Sequence, residues 1–455
     1  MVKLTRQEKL MTKISPARAA ALEVLTDETD NYRARLDAAL NNIADPRDRG
    51  LATALANGVT RWKRRLDYII SKLIERPLEK LEKPVHAAMR MAIYQMTLMD
   101  KVPDHTAVNE AVQIARDNCG QGAGKQTNAV LRRFQREMDE LTWPDKEKEA
   151  AKYLSIYYSH PLWMVRRWLA RFGFEETEEL LIRNNEPAPT TLRVNRRWVT
   201  REALQNFLEM RGVMATPTEI SEWGLNVIGG GDPRTTEEYK EGLYTLQGEG
   251  SIIVTELCRP GRNRDGWDMA AGVGGKTTHL AEWVNDSGTL LATDTSAERL
   301  AVLNETMQRL GLETITIATG DSRKIKLEKD MDYVLLDAPC TGTGALRRQA
   351  DSRWRKTAEN IAEMAILQAE LLRAGAKAVK PGGRLMYSTC SLEPEENTEV
   401  INAFLTENPS WSIAPAAEKF KTLPENAINP DNTIQLMPHR HNTDGIFAAL
   451  LVKAE

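Results

Sequence analysis

Two cysteines stand where a thiol could do chemistry. Cys340 lies in Asp337-Ala-Pro-Cys340-Thr-Gly-Thr-Gly344, directly after the apolar run Tyr333-Val-Leu-Leu336, and Cys390 lies in Tyr387-Ser-Thr-Cys-Ser391. A buried strand that stops at polar, turn-forming residues delivers them to a sheet edge, where open α/β folds carry out reactions. A lone cysteine is most often a small buried hydrophobe, but Pro-Cys-Thr-Gly and Thr-Cys-Ser are poor settings for a core residue. Two thiols beside a carboxylate would suit methylation at carbon 5 of a cytosine. That carbon is too electron-poor to attack a methyl donor until a thiolate has added to carbon 6, and an acid at ring nitrogen 3 eases the addition. Afterwards the carbon-5 proton must leave and the protein sulfur must be expelled. A thiol of ordinary pKa, ~8.5, is only a few per cent ionised at neutral pH, so the site must supply electropositive help.

A second chemical signal is the turn Ala270-Ala-Gly-Val-Gly-Gly-Lys-Thr277. It admits three readings. One is a phosphate loop, with Ala tolerated in the first place and Tyr333 to Asp337 as the acidic, magnesium-holding strand. Another is a dinucleotide turn, in which Thr277 would have to replace the third glycine. The third is S-adenosylmethionine, with its amino-acid end on the glycine-rich backbone. Asp294, 18 residues beyond Lys276, falls where a ribose-binding acid belongs. Its bland role would be a helix cap, which Thr295 or Ser296 could fill instead. Asp321 follows at the third strand end, and three acids at consecutive strand ends suit an adenosine ligand better than three caps.

The elements that must position these residues begin near residue 246, where the pattern becomes strand, turn, helix, repeated. This alternation predicts a parallel sheet with helices on both faces, and Ile446-Phe-Ala-Ala-Leu-Leu-Val452 a closing antiparallel strand. Residues 1–140 read as all helix, with amphipathic stretches at Pro16 to Leu25, Arg47 to Leu73, Pro84 to Met99, Ala107 to Arg116 and Thr127 to Met138. Pro77, Pro103 and a Gly120 to Gly124 loop break them. Residues 141–245 form a connecting α/β segment and 246–455 the enzyme-like core. Three basic-aromatic clusters precede that core: Arg61-Trp-Lys-Arg-Arg65; Arg166, Arg167, Trp168 and Arg171; and Arg193, Arg196, Arg197 and Trp198. Each alone reads as an ordinary amphipathic surface, but together they favour single-stranded RNA, whose phosphates meet cations and whose unstacked bases meet rings. Arg61, Lys63, Arg64, Arg166 and Arg167 are the candidate contacts, with Arg347 and Arg348 beyond the thiol loop as candidates for a flipped nucleotide.

Composition bounds the rest. The 455 residues allow two or three domains, and residues 1–150 carry a net charge of about +4 against about −7 for the remainder. No apolar run reaches the ~18 residues of a membrane span, and Met1 to Lys13 is charged throughout, so a cytoplasmic protein is expected. Cys119, Cys258, Cys340 and Cys390 are widely spaced without a Cys-x-x-Cys pair. Neither a metal site nor a disulfide framework is expected.

Taken together, Asp268 to His279, Asp294, Gly320-Asp-Ser-Arg323, Asp337 to Gly344 with Arg347-Arg348, and Tyr387 to Ser391 with Glu393-Pro-Glu-Glu-Asn397 carry a family likeness. The chain resembles the bacterial 16S ribosomal RNA cytosine-5 methyltransferases of the Fmu/Sun type over nearly its whole length. The resemblance implies a Rossmann-like, S-adenosylmethionine-dependent methyltransferase core, preceded by an all-helical NusB-like RNA-binding domain and a small connecting subdomain. It implies Cys390 as the nucleophile, Cys340 as the group that helps release product, and Asp337 in contact with the cytosine. Ala270, Ala271, Gly272, Val273, Gly274, Gly275, Lys276, Asp294, Asp321 and Asp337 would hold S-adenosylmethionine. The substrate would be 16S ribosomal RNA, unassembled or partly assembled, because the base must leave its stack. No oligomer is implied. Two departures stand out. The family turn Cys-Ala-Ala-Pro-Gly-Gly-Lys is Ala270-Ala-Gly-Val-Gly-Gly-Lys276 here, and Gln-Asp-Glu-Ala-Ser is Gln247-Gly-Glu-Gly-Ser251, so a looser grip on the cofactor is expected. Two rival readings are a phosphate-loop nucleotide hydrolase, indifferent to both thiols, and a non-catalytic RNA-binding assembly factor.

Overall fold

The computed structural model describes residues 14–27, 31–99, 102–415, 418 and 420–455. Met1 to Lys13 therefore lies outside the described residues. The chain forms two compact units: one runs to Asn185 and takes in Gln349–Arg355, and the other comprises Glu186–Arg348 and Lys356–Glu455.

The first unit is helical, from Pro16–Thr26 to Leu162–Asn185. Its helices form because apolar residues recur on one face: in Lys63–Leu73 the buried set is Leu66, Ile69, Ile70 and Leu73. The stretch expected as one helix from Arg47 to Leu73 is two, Pro46–Arg61 and Lys63–Leu73, meeting at Trp62. The expected loop at Gly120 to Gly124 is shorter than predicted. Gly120, at φ 88°, makes the break, and the helix resumes at Gln121. Gly124 is helical, and a Cβ there would meet Arg116 Cβ at 3.1 Å, so a close helix crossing rather than a turn selects glycine. Leu55, Ile70, Met89 and Phe134 are among the fully buried side chains of this core. Gln349–Arg355 joins the unit through Arg353, which donates to Ser159 O, Asn184 O and Asn185 Oδ1, and through Trp354 Nε1, which donates to Thr60 O at 2.7 Å.

The second unit opens with an antiparallel sheet of β1 (Thr190–Val194), β2 (Met214–Pro217), β3 (Gly224–Gly229) and β4 (Tyr244–Leu246), in the order β2-β3-β1-β4. Leu192 and Val194 pack with Leu204 and Leu208 of the helix Arg201–Met210. The larger sheet contains β5 (Asp265–Asp268), β6 (Thr289–Asp294), β7 (Ile315–Thr319), β8 (Met331–Asp337), β9 (Val379–Thr389), β10 (Trp411–Ile413), β11 (Ile434–Leu436) and β12 (Ile446–Lys453). Its order is β10-β12-β9-β8-β5-β6-β7, with β11 on β12. Strands β5 to β9 are parallel and β12 runs antiparallel to β9.

Both faces of this sheet are covered. In β8, Tyr333 and Leu335 enter one hydrophobic cluster with Leu280 and Leu303, while Val334 and Leu336 enter another with Leu371 and Phe404. A strand buried on both sides reads as a continuous apolar run, which is why Tyr333 to Leu336 shows no polar alternation. From β5 the chain steps outward through β6 and β7, then returns to place β8 on the other side of β5. That reversal makes the carboxyl ends of β5, β6, β8 and β9 the natural ligand crevice. No helix among the described residues is long and apolar enough to cross a membrane.

Candidate active site

The site is built from the carboxyl ends of adjacent strands. Asp337 of β8 is paired in register with Ser388 of β9, so the segments leaving these strands emerge side by side. Cys340 lies in the loop after β8 and Cys390 directly follows β9; their sulfurs are 3.3 Å apart. Asp337 is held from two sides. Lys276 Nζ donates to its Oδ2 at 2.7 Å and Ser388 Oγ donates to its Oδ1 at 2.8 Å. Carboxylate, ammonium and two thiols thus converge on one sheet edge.

Glu396, inside the run Glu393-Pro-Glu-Glu-Asn397, holds the thiol loops in place. Glu396 is fully buried and accepts hydrogen bonds from Thr341 N (2.8 Å), Thr341 Oγ1, Ser391 Oγ (2.5 Å) and Gln368 Nε2 (2.9 Å). Thr341 follows Cys340 and Ser391 follows Cys390, so one carboxylate fixes both backbones. Asn397 adds to this, accepting from Thr389 Oγ1 and donating to Ser391 O. In sequence only the dense run Glu393-Pro-Glu-Glu-Asn397 pointed here. Nothing local says that Glu396 is the member turned inward.

The pair is electrostatically uneven. The Cys340 hydrogen bond holds the Cys390 thiol below its usual pKa against burial and Asp337, and Lys276 acts in the same direction. Cys340 is pushed well up by its bond to Cys390, by burial and by the nearby Glu396 charge. The proton that the two sulfurs share is therefore favoured on Cys340, chiefly through the hydrogen bond between them, with Lys276 adding to the effect at Cys390 and Glu396 at Cys340.

The glycine-rich turn lies between β5 and the helix Gly275–Trp283 and brings Ala270 to Lys276 to the same edge. Gly272 N donates to Asp294 Oδ2 at 2.9 Å, Ala271 N to Thr293 O, and Gly274 N to Ala271 O. Asp294 Oδ1 accepts from Ser296 N at 2.8 Å, while Ser296 Oγ itself caps the next helix by accepting from Arg299 N. Asp294 is thus not the cap. A carboxylate offers about four acceptor positions, so two backbone donors leave capacity for ribose hydroxyls. Gly272, at φ 55°, has nothing within 4 Å of where a Cβ would lie, which leaves an open backbone face beside Asp294. These residues fit an adenosine-type ligand. Asp321 stands just beyond β7, but Arg323 grips its carboxylate in a fork and holds it down to about 2. Asp268 is buried under the turn, accepts from Thr277 Oγ1 at 2.7 Å and is pushed up to about 7 by burial.

The glycines that depart from the family pattern have local causes. A Cβ on Gly248 would lie 2.5 Å from Arg348 Nη2, and one on Gly250 would lie 2.7 Å from Ile446 Cγ1. Gly272 occupies left-handed backbone pinned to Asp294, a conformation that glycine adopts without strain.

The basic candidates are not equivalent. Arg193 is fully buried: it donates to both carboxylate oxygens of Glu282, to Thr278 Oγ1 and to Gly275 O, and so braces the glycine-rich turn from below instead of joining an RNA surface. Arg347 is buried too and donates to Pro187 O, so it is no solvated loop charge; Arg348 donates to Asp444 Oδ2 at 2.6 Å. In the helical unit Trp168 is core, while Arg166 is exposed and Arg167 half-buried. Lys63 is exposed, and burial pulls the pKa of Arg61 and Arg64 down. Lys276 points to Asp337, which does not favour the phosphate-loop reading of its turn.

Comparison with known proteins agrees with this geometry. The family described as 16S rRNA methyltransferase RsmB/F matches residues 257–452, the NusB family matches 15–136, and the RsmF/B-like ferredoxin-like domain matches 160–232. The probable ribosomal RNA small subunit methyltransferase B of Synechocystis is 35% identical over 96% of this chain and 99% of its own length. Its Bacillus subtilis counterpart is 33% identical over 91% of this chain and 92% of its own. Among solved structures, PH0851 superposes with a TM-score of 0.79 at 28% identity, covering 97% of this chain and 99% of that one. A helical NusB-like domain, a ferredoxin-like subdomain and a Rossmann-like core with acids and thiols at its strand ends thus coincide with relatives matched nearly end to end: the chain belongs to the RsmB/F family of small-subunit ribosomal RNA methyltransferases, whose cofactor is S-adenosylmethionine.

Proposed function

We propose that this protein methylates carbon 5 of a cytosine in 16S ribosomal RNA through a covalent bond between Cys390 and the base. The observation that carries the reading is the contact of Cys340 and Cys390 sulfurs at 3.3 Å, beside an Asp337 carboxylate that Lys276 and Ser388 hold in place. A methyltransferase acting on oxygen or on an exocyclic nitrogen needs no paired thiols.

Each group has a task that its surroundings favour. Cys390, whose pKa is lowered by its hydrogen bond to Cys340 and by Lys276, adds as thiolate to carbon 6 of the flipped cytosine, while Asp337 contacts ring nitrogen 3. Ala270 to Lys276, Asp294 and Asp321 hold S-adenosylmethionine, which supplies the electrophilic methyl group when bound. Once Cys390 is bonded to the ring its charge no longer holds the proton on Cys340; Cys340 releases that proton to solvent and, as thiolate, takes the proton from carbon 5. The electron pair of that bond restores the ring double bond, and Cys390 leaves as thiolate. The RNA is gripped elsewhere by Arg61, Lys63 and Arg64 on the helical domain (residues 1–140), by Arg166 and Arg167 in the connecting segment (residues 141–245) and by Arg348 near the core, in unassembled or partly assembled small subunits. Arg347 is buried, and its part is to shape the loop.

Bisulfite sequencing of 16S ribosomal RNA after incubation with the protein and S-adenosylmethionine tests this. A single new protected cytosine is expected. Methyl incorporation with no protected cytosine would overturn it.

A further inference from the structure

The closeness that suits the two thiols to one substrate also suits them to each other. A disulfide has a sulfur-sulfur distance of about 2.05 Å, so bridging 3.3 Å requires a sulfur movement of only about 1 Å. Cys340 lies in a loop, between β8 and Gly342, and Cys390 is the first residue after β9, so neither sulfur is locked inside a strand. Both residues are half-buried rather than sealed in the core. Their backbones are already brought together by Glu396, through Thr341 and Ser391, so no loop-closure entropy opposes the bond in the folded protein.

We infer that Cys340 and Cys390 form a reversible disulfide on exposure to hydrogen peroxide, making the active edge a redox-controlled modification site. The Cys390 thiolate attacks one peroxide oxygen; a sulfur-oxygen bond forms, the oxygen-oxygen bond breaks and hydroxide leaves. Cys340 then attacks that sulfur through its own, the sulfur-sulfur bond forms, and the oxygen departs as water with the Cys340 proton. Two thiols are oxidised by two electrons, and one peroxide becomes two waters. A dithiol reductant reverses the bond by exchange. Loss of methyl transfer in the oxidised protein rests on Cys390 being the nucleophile; formation of the bond does not.

The test uses the full-length protein. Reduced protein is treated with hydrogen peroxide, quenched, alkylated, and examined by intact mass and peptide mapping, with methyl transfer measured before and after dithiothreitol. The expected result is a mass lower by two hydrogens, two of the four thiols no longer alkylated, and a Cys340–Cys390 linked peptide. Methyl transfer falls in proportion to the linked fraction and returns with dithiothreitol. Cys119→Ser protein gives the same linked peptide. Oxygen added to Cys390 with Cys340 still alkylated, or four alkylated thiols after peroxide, overturns the inference. A linked protein that still methylates RNA leaves the bond standing but removes both the switch and the assignment of Cys390.

Discussion

Arg65 in the helical unit and the Cys340–Cys390 pair in the catalytic unit are both polar groups among dense partners, and they differ in what those partners leave over. The Arg65 guanidinium lies 5.4 Å from the Trp62 ring centroid, 5.1 Å from Trp143 and 4.4 Å from Tyr157, and also donates to Tyr157 O. Its contacts tie the residues after Leu141 to the helix Lys63–Leu73. At the sheet edge the partners serve the backbone instead: Glu396 takes Thr341 and Ser391, and the two sulfurs are left to touch each other. The same residue chemistry that reads as RNA-binding on paper is structural in the first case, while the thiols, ordinary core residues by frequency, are held against each other at a strand end in the second.

Changing each partner set should sharpen the contrast. The largest effect is expected at Glu396→Gln, which removes a buried charge holding both thiol loops: kcat falls about 100-fold, and peroxide links Cys340 to Cys390 more slowly because the loops no longer hold the sulfurs together. A drop in thermal stability with unchanged kcat per folded molecule would make Glu396 merely structural.

Next comes Asp67, which accepts from Arg90 at 2.6 and 2.7 Å and from His86 at 2.8 Å. Burial alone would raise its pKa, but these bonds outweigh it and hold the carboxyl down to about 2. Its stabilising contribution is therefore present above the unfolded value, ~3.9, and is lost as pH falls through about 2. Asp67→Asn should destabilise the helical unit by about 2 kcal/mol at neutral pH, with the difference shrinking in acid, as chemical denaturation across pH would show.

A third change moves the reactive side of the comparison. Lys276→Met removes the cation that lowers the Cys390 pKa, so the acid limb of the kcat/KM profile should shift to higher pH and the neutral-pH rate fall about tenfold. An unshifted limb would separate Lys276 from the thiolate. The smallest effect belongs to Arg65→Lys, which loses planar stacking on three rings. About 1 kcal/mol of stability should go, with the salt dependence of RNA binding unchanged. A flatter salt slope with Arg65→Gln, which also removes the charge, would return Arg65 to the RNA interface.

What the sequence made legible follows the range of the interactions. Cys340, Asp337 and Cys390 could be placed at strand ends because apolar runs of strand length stop beside them, and Asp294 could be placed for the same reason. The parallel direction of β5 to β9 followed from the alternation of strand and helix, and the apolar run Ile446 to Val452 marked the antiparallel β12, but the strand order was not legible. Side-chain direction was not legible. Arg193 sits beside Arg196 and Arg197 in sequence, yet lies one step along a strand on the face that meets Glu282. Trp168 shares a helix with exposed Arg166 but faces the core. Glu396 is one of three nearby glutamates, and only the fold turns it onto two loops separated by 50 residues of chain. The entry of Gln349–Arg355 into the helical unit depends on Arg353 finding Ser159 and Asn184, contacts that no local pattern encodes.

The central claim is that Cys390 makes the bond to the base and Cys340 helps undo it. Its most direct test is denaturing electrophoresis of Cys340→Ala and Cys390→Ala proteins after incubation with 16S ribosomal RNA and S-adenosylmethionine. A denaturation-resistant protein–RNA adduct should accumulate with Cys340→Ala and be absent with Cys390→Ala, which should also lose methyl transfer. Adduct formation by Cys390→Ala, or normal turnover by Cys340→Ala, would contradict the account.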